Sequence, residues 1–285
     1  MKNVRIIPRL DIKGPNLVKG IHLEGLRVLG KPERFARHYY ENGADELLYM
    51  DVVASLYGRN SLINIIARTS KEIFIPLTVG GGLRTIDDIQ TVLRAGADKV
   101  SLNTAVIHNP DLIRESSRKF GSSTILISIE AIKKSDGTYE AYTDNGREKT
   151  GVDALEWAKR VTELGAGEIM VTSINQEGTG RGFDLNLTRT IAESVPIPVI
   201  ACGGAGQVEH IHEVIKEGQA DAVSIASIIH YNFIKKREFC EDDYTSEGNI
   251  EYLKRAKQGF LKIRDTSLPK IKGHLIECGI ACRPI

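Results

Sequence analysis

Two acidic residues occupy equivalent places at the ends of predicted strands. Asp11 ends the apolar run Arg5–Asp11, and Glu130 ends the apolar run Thr124–Glu130. Acid–base chemistry commonly uses two carboxyl groups, one of which donates a proton while the other removes one. We therefore predict that Asp11 and Glu130 are the catalytic pair. The alternative is that each carboxyl only caps a strand end or pairs with a lysine such as Lys13.

Glycine pairs with small neighbours mark a second kind of site. Glycine lets an anion approach the backbone closely and bind to its N–H groups. Each pair follows one predicted strand, and small side chains end the next strand along the chain. The positions are Gly81, Gly82, Asn103 and Thr104 in one group, and Gly203, Gly204, Ala226 and Ser227 in the other. Two such groups predict a ligand that is phosphorylated at both ends, whereas glycines that only permit tight turns remain the alternative.

Two glycine-rich segments are predicted to be loops over the same site. One contains Gly178 and Thr179, and it follows the predicted strand Glu168–Ser173. The other is Ile12–Lys31, which carries Lys19. A loop of this kind either closes over a substrate and excludes water or is simply solvated and flexible. The sequence leaves both readings open.

Apolar, β-branched runs alternate with amphipathic stretches along the whole chain, as in proteins with buried parallel strands. Further strands are predicted at Glu46–Asp51, Ile75–Gly80, Lys99–Asn103, Glu168–Ser173, Val199–Cys202 and Ala222–Ala226. Helices are predicted at Pro32–Asn42, Thr85–Ala95, Asp153–Leu164 and Asp184–Ser194. Eight strands in this alternation fit either a closed barrel or a doubly wound sheet.

An internal repeat favours the barrel. Ile75–Gly82 resembles Ile197–Gly204, and Ala97–Thr104 resembles Ala220–Ser227 at nearly the same offset. Two similar halves of four strands would each leave open sheet edges, and closing them on each other removes those edges. We therefore predict an α/β fold, a (β/α)8 TIM barrel with a two-fold half-barrel repeat.

The barrel is predicted to be a single domain that covers residues 1–285, with half-barrels at about 1–121 and 122–285. Two segments depart from the repeat. Lys133–Gly151 carries turn residues between alternating side chains and is predicted to be an inserted hairpin. Residues 231–266 are predicted to be a long charged insertion.

The composition excludes several classes of protein. There are 38 Lys and Arg residues against 37 Asp and Glu, a net charge of +1, which gives no general attraction to nucleic acid. No apolar run is long enough to span a bilayer, and the N-terminal residues lack a secretory pattern. Four irregularly placed cysteines suit a reducing compartment, so we expect a cytoplasmic protein. Neither a metal-ligand cluster nor a dinucleotide glycine pattern is evident, so we expect no metal or organic cofactor.

Four charged residues of alternating sign lie at or near predicted strand starts. They are Arg5, Glu46, Lys99 and Glu168. Their side chains could form a ring inside the barrel, but exposed charges at strand starts are common. From these residues alone, the second interpretation is favoured.

Several of these motifs together resemble the cyclase subunit of imidazole glycerol phosphate synthase, an enzyme of histidine biosynthesis. They include Leu10–Lys13, Val18–Gly20, Thr78–Gly82, Gly96–Ser101 and Gly203–Gly206. The resemblance implies an ammonia-dependent cyclisation and cleavage of a bisphosphate ribulosyl-formimino aminoimidazole carboxamide ribonucleotide. The products would be imidazole glycerol phosphate and an aminoimidazole carboxamide ribotide.

The resemblance also implies a protein partner. In that family a glutaminase subunit docks on the N-terminal face of the barrel, and its ammonia travels through the lumen. The four alternating charges would then form the gate to this passage, which reverses the interpretation drawn from the residues alone. Lys19 and Glu177 would lie with the substrate at the opposite end.

Four positions depart from the family pattern, and at one of them Asn175 replaces an acidic residue. Arg9 stands where the family has a small residue, and Glu130 and Glu177 stand where it has aspartate. Arg9 could block the lumen or pair with Asp11. With these departures the chain resembles cyclase-like paralogues that relay ammonia to a sugar amidotransferase in surface-polysaccharide pathways. That role, an acetamidino modification of a sugar, is the alternative to the cyclase.

Overall fold

A computed structural model describes residues 3–54, 62–236 and 263–285. Among these residues, eight parallel strands close into a barrel in the order β1–β4–β5–β6–β7–β10–β11–β12, with β12 hydrogen-bonded to β1. The strands are β1 (Arg5–Lys13), β2 (Asn16–Ile21), β3 (Glu24–Gly30), β4 (Leu47–Asp51), β5 (Leu77–Gly80), β6 (Lys99–Leu102), β7 (Ile125–Lys133), β8 (Tyr139–Thr143), β9 (Glu148–Asp153), β10 (Glu168–Ser173), β11 (Val199–Cys202) and β12 (Ala222–Ile225). The predicted barrel is confirmed.

Helices cover the outside of the barrel. They are α1 (Pro32–Glu41), α2 (Ile63–Thr69), α3 (Ile86–Arg94), α4 (Thr104–His108), α5 (Asp111–Phe120), α6 (Ala154–Glu163), α7 (Leu185–Ala192), α8 (Val208–Lys216), α9 (Ser227–Lys236) and α10 (Leu268–Glu277), with a 3-10 turn at Ser122–Thr124. None of the helices in the described ranges has the length and apolarity that crossing a membrane requires.

Capping residues explain where several helices begin. The Asp153 carboxylate accepts hydrogen bonds from two backbone N–H groups of α6, and Asp184 accepts one from α7. Thr85 and Asp88 form a reciprocal capping box at the start of α3. Each cap satisfies N–H groups that lack partners within the helix. The predicted helices at these places are confirmed.

Side chains alternate between two cores along each barrel strand. On β1, Ile6 and Leu10 pack outward against the helices, whereas Ile7 packs into the lumen with Leu48 and Met170. The period of two residues therefore also directs Arg9 and Asp11 toward the barrel axis. The lumen is thus filled with side chains at mid-height and becomes polar toward both ends.

Two strands continue beyond the barrel into antiparallel extensions. On β1 the extension is β2 and β3, and on β7 it is β8 and β9. The inserted hairpin predicted at Lys133–Gly151 is confirmed, although it contains two turns and two strands rather than one turn. The prediction of a loop at Ile12–Lys31 is wrong, because β2 and β3 form an antiparallel hairpin there. Of the predicted insertion at 231–266, residues 231–236 extend α9, and residues 237–262 lie outside the described residues.

Candidate active site

Asp11 and Glu130 lie on opposite sides of the barrel mouth. β1 and β7 are four strands apart in the ring of eight described strands, and both carboxyls lie near the C-terminal ends of these strands. Asp11 is 4% exposed and Glu130 is 3% exposed. In this fold the C-terminal ends of the strands form the active face. The structure therefore brings the predicted catalytic pair to one mouth.

The first glycine group lines an open cavity of about 460 Å³, which we call the first pocket. The Asn103 amide donates to the Tyr142 carbonyl at 3.2 Å, and the Thr104 hydroxyl accepts from the Asp144 N–H at 3.1 Å. These bonds attach the extension of β7 to the rim. The predicted residues that line this pocket are Gly81, Gly82, Asn103, Thr104 and Glu130.

Gly81 shows why the rim requires glycine. Its φ is +96°, and a Cβ atom built there would lie 2.2 Å from the Asp51 carbonyl oxygen. A side chain would therefore be strained in conformation and would collide with β4. The backbone at Gly81 comes closer to its neighbour than any other residue would allow.

The second glycine group lines a much smaller space of about 20 Å³, which we call the second pocket. Lys19 crosses it and binds Glu177, with 2.5 Å between Nζ and Oε1. Lys19 also donates to the Gly20 carbonyl at 3.0 Å. The predicted residues that line it are Lys19, Glu177, Gly178, Gly203, Gly204, Ala226 and Ser227.

The loop that carries Glu177 is attached to the extension of β1. The His22 N–H donates to the Glu177 carbonyl at 3.0 Å, and the His22 ring bonds to the Ile174 carbonyl at 2.7 Å. Thr179, which was predicted to bind phosphate, does not line either pocket. Its hydroxyl instead donates to the Gln176 carbonyl at 2.7 Å within the same loop. The second pocket is therefore closed over by two joined segments.

The electrostatic environment of Glu130 favours its neutral form. Burial raises the pKa of this carboxyl to about 7, while the Arg9 charge and a backbone hydrogen bond from Gly146 oppose the shift. The Asp11 charge adds to the increase. At neutral pH Glu130 is therefore divided between its protonated and ionised forms, as a group that exchanges protons in a reaction requires.

Arg9 is a site residue that the sequence analysis named as a departure from the family pattern, with blocking of the lumen or pairing with Asp11 as the two alternatives. It is 2% exposed, lines the second pocket and donates from Nε to Asp11 Oδ1 at 2.7 Å. Burial opposes its charge, but Asp11, Cys202 and Glu177 keep its pKa raised well above the usual value. The guanidinium is therefore a permanent cation inside the lumen, directly below Asp11.

Three acidic or amide residues of the first pocket were not predicted. Asp51 ends β4, and it also ends the strand predicted at Glu46–Asp51, as Asp11 and Glu130 end theirs, so this signal was available in the sequence. Asp144 and Asn145 reach the pocket because the turn of the β7 extension folds over it. Their place could not be found without the register of that hairpin.

At the N-terminal end of the barrel, four charges form a closed ring, which we call the charge ring. Arg5 binds Glu46 at 3.0 Å and Glu168 at 2.7 Å, and Lys99 binds both carboxylates at 3.0 Å. Thr78 adds a hydrogen bond to Glu46 at 2.5 Å. Just above it, the space enclosed by residues such as Ile7 and Leu126 leaves no volume for a water molecule. The four residues are therefore mutually paired and not separate surface charges.

Comparison with known proteins places this barrel in a family. Residues 5–235 match the histidine biosynthesis protein family. Relatives named imidazole glycerol phosphate synthase subunit HisF include one from Legionella pneumophila, 57% identical over 74% of this chain and 100% of the relative. Another, from Prochlorococcus marinus (strain MIT 9215), is 51% identical over 81% of this chain and 91% of the relative. A third, from Alkaliphilus metalliredigens (strain QYMF), is 47% identical over 80% and 90%.

The chain belongs to the HisF family of histidine biosynthesis proteins. The family match begins at β1 and ends within α9, so both pockets and the charge ring lie inside it. The final helix α10 lies beyond the matched residues. The predicted resemblance is thereby confirmed, and the site can be considered as that of a HisF-family protein.

Proposed function

We propose that this chain is the cyclase subunit of imidazole glycerol phosphate synthase. It would convert a bisphosphate ribulosyl-formimino aminoimidazole carboxamide ribonucleotide, with ammonia, into imidazole glycerol phosphate and an aminoimidazole carboxamide ribotide. The observation that carries the proposal is the position of Asp11 and Glu130 on opposite strands, between two glycine-rich pockets. Relatives that bear the HisF name over most of the chain support it.

The residues divide the work between binding and proton transfer. Backbone N–H groups at Gly81 and Gly82 would hold one phosphate, and those at Gly203 and Gly204 would hold the other. The two carboxyls would act on the atoms between the phosphates. Glu130, with a pKa of about 7, can accept or release a proton near neutral pH.

The partner would be a glutaminase subunit on the N-terminal face, in the cytoplasm. The charge ring supports this, because it closes the barrel at that end with ion pairs rather than with packed apolar side chains. Ammonia would have to pass where these pairs separate. Four buried hydroxyls on lumen-facing strand positions lack hydrogen-bond partners within the described residues, and they could bind ammonia on its way: Ser101, Ser128, Thr172 and Ser224.

A second candidate function is favoured by Arg9 alone. A buried cation in the lumen lies between the charge ring and the mouth, where ammonia would travel. A cyclase-like barrel that passes ammonia to a sugar amidotransferase would not need the mouth for catalysis, so a pair of Arg9 with Asp11 would be tolerated there. Its partners would then have to dock away from the mouth. Under that function the two pockets would no longer need to bind the histidine-pathway substrate.

The decisive experiment uses the purified full chain with ammonium salt and the bisphosphate substrate. We expect formation of imidazole glycerol phosphate without any partner, because free ammonia can enter from the mouth. Asp11→Asn is the matched control, since it keeps the shape of the side chain and removes its proton chemistry. No turnover at high ammonium concentration and alkaline pH, together with co-purification of a sugar amidotransferase, would replace the cyclase by the relay.

A further inference from the structure

Arg9 occupies an unusual position for a guanidinium. It lies on the lumen side of β1 between Ile7, which packs in the apolar lumen, and Asp11, which lies at the mouth. Its side chain is 3% exposed. Burying a cation here is unfavourable unless its donors find partners. The partners of Arg9 therefore indicate what the position is for.

The structure leaves part of the guanidinium unbound. Nε donates to Asp11 at 2.7 Å, and Nη1 has only a contact of 3.5 Å with the Cys202 sulfur, which is a weak acceptor. Nη2 is buried and has no hydrogen-bond partner among the described residues. A buried donor without a partner typically costs about 1–3 kcal/mol, and more when it is charged. The end of Arg9 therefore lacks an acceptor.

A ligand bound in the second pocket would supply the missing hydrogen-bond acceptor. Arg9 lines this pocket together with Gly203, Gly204 and Ser227, the residues predicted to bind phosphate. Lys19, the other cation of the pocket, already binds a carboxylate and a carbonyl. Arginine carries five N–H donors in a planar fork that suits phosphate oxygens. Lys19 thus has one unused donor, whereas most of the donors of Arg9 remain available to this pocket.

The backbone of Arg9 is hydrogen-bonded to α9, the helix that forms part of the wall of the second pocket. Its carbonyl accepts from His230 Nε2 at 3.0 Å, and His230 Nδ1 bonds to the Tyr39 hydroxyl at 2.5 Å. Burial lowers the pKa of His230 to about 3, so its ring stays neutral and Nε2 carries the proton that it donates. His230 lies in α9, whose first residue Ser227 lines the second pocket. The pocket wall and Arg9 therefore keep their relative positions.

We propose that Arg9 is a ligand of the substrate phosphate in the second pocket, and that one guanidinium ties this phosphate to Asp11. The terminal nitrogens bind phosphate oxygens while Nε keeps the carboxylate. The phosphate end of the substrate would thereby help to position Asp11 for the chemistry. The identity of the substrate rests on the proposed function, whereas the anion binding does not.

The test measures binding of inorganic phosphate to the full chain by calorimetry, and crystals soaked in phosphate assign each binding step to a pocket. Replacing one charge-assisted donor pair should weaken binding in the second pocket of Arg9→Met about 10- to 100-fold. Arg9→Lys keeps the charge and should restore part of the affinity. Binding in the first pocket should not change. Equal phosphate affinity of wild type and Arg9→Met in the second pocket would overturn the proposal.

A second set of variants covers the case in which Arg9→Met fails to fold because Asp11 loses its partner. Asp11→Asn frees the guanidinium, so it should bind phosphate at least as tightly as the wild type. Adding Arg9→Met to Asp11→Asn removes both charges together and should lose about 10- to 100-fold in affinity relative to Asp11→Asn. If the double variant binds equally well, Arg9 is not a phosphate ligand.

The same variants separate this role from that of a plug in the lumen. A plug predicts unchanged phosphate affinity and faster glutamine-driven turnover in Arg9→Met, and that result would refute phosphate binding. Phosphate titration needs no turnover, so its outcome is independent of the cyclase assay. A chain that binds phosphate through Arg9 but forms no imidazole glycerol phosphate would contradict the proposed function only.

Discussion

The two pockets share one backbone design and differ in their side chains. In each, a glycine at positive φ lies against a neighbouring carbonyl: an added Cβ would lie 2.2 Å from the Asp51 oxygen at Gly81, and 2.0 Å from the Gly182 oxygen at Gly204. The first pocket is open, with about 460 Å³. The second holds only about 20 Å³, because Arg9 and the Lys19–Glu177 pair occupy it.

This difference shows how a duplicated scaffold can bind a ligand whose two ends are unlike. Backbone N–H groups bind any phosphate, so both halves can retain them unchanged. Side chains then set the size and charge of each end. The open pocket suits the bulkier half of a ligand, and the narrow one suits a compact phosphate on a short chain. Three predictions test this comparison, beginning with the largest expected effect.

Asp11 binds Arg9, which lines the second pocket, and Glu130 lines the first, so removing each carboxyl compares the two sides of the site. Asp11→Asn and Glu130→Gln should each lower kcat roughly 10²- to 10⁴-fold with little change in KM, since each removes one proton-transfer group. Steady-state kinetics with ammonium salt measures both. Glu130→Asp retains a carboxyl displaced by about 1 Å and should lose at most ~100-fold. Full activity of Glu130→Gln would mean that the first pocket only binds substrate.

The Lys19–Glu177 pair is a buried ion pair in the lining of the second pocket. Lys19→Met should lower the free energy of unfolding by about 3–5 kcal/mol, because Glu177 is left as an unpaired buried charge. Urea denaturation measures this. The double variant Lys19→Met with Glu177→Gln should recover most of the loss. Arg37→Met, which breaks a pair on the exposed face of α1, should leave stability unchanged.

Glu130 should make the stability of the protein depend on pH. Its pKa is raised from 4.5 to about 7 in the folded state, mainly by burial, so the folded protein binds the proton more tightly than the unfolded chain does. Its contribution is therefore fully present below pH 4.5 and is lost as the pH rises through 7, a change of about 3 kcal/mol. Unfolding of Glu130→Gln between pH 5 and 8 should lack this component. Identical pH profiles for both proteins would show that the carboxyl is not buried as described.

The repeat and the alternating pattern were sufficient to predict the barrel, because buried parallel strands and glycine-ended turns leave a strong signal. Lys133–Gly151 was recognised for the same reason, since Asp144, Asn145 and Gly146 are residues that favour the left-handed turn they form, with φ between 51° and 77°. The site residues at strand ends followed from the fold, because parallel strands present their C-terminal ends at one mouth.

The hairpin of β2 and β3 escaped prediction for a physical reason. Its turn is built by His22 and Leu23, at φ 52° and 63°, and leucine is a residue that rarely adopts this conformation. Irregular register along the pair breaks the expected alternation of side chains. Gly20 is one of the glycines that indicated a loop at Ile12–Lys31, but it permits close approach of the two strands, because a Cβ there would lie 2.1 Å from the Glu24 oxygen. The structure shows the pairing of Arg9 with Asp11 that the sequence offered as one alternative, whereas the unbound end of its guanidinium depends on a side-chain conformation that no spacing reveals.

The two extensions meet above the mouth. The Asn145 side chain donates to the Leu23 carbonyl at 3.1 Å, and Leu23 packs with Tyr142 and Ile174 in a small separate cluster. A molecule too large to pass beside this contact between the two extensions must separate them to reach Asp11 and Glu130. This hydrogen bond and this small apolar cluster separate far more easily than a barrel strand does. Ligands can therefore enter and leave the mouth rapidly while the barrel itself stays rigid.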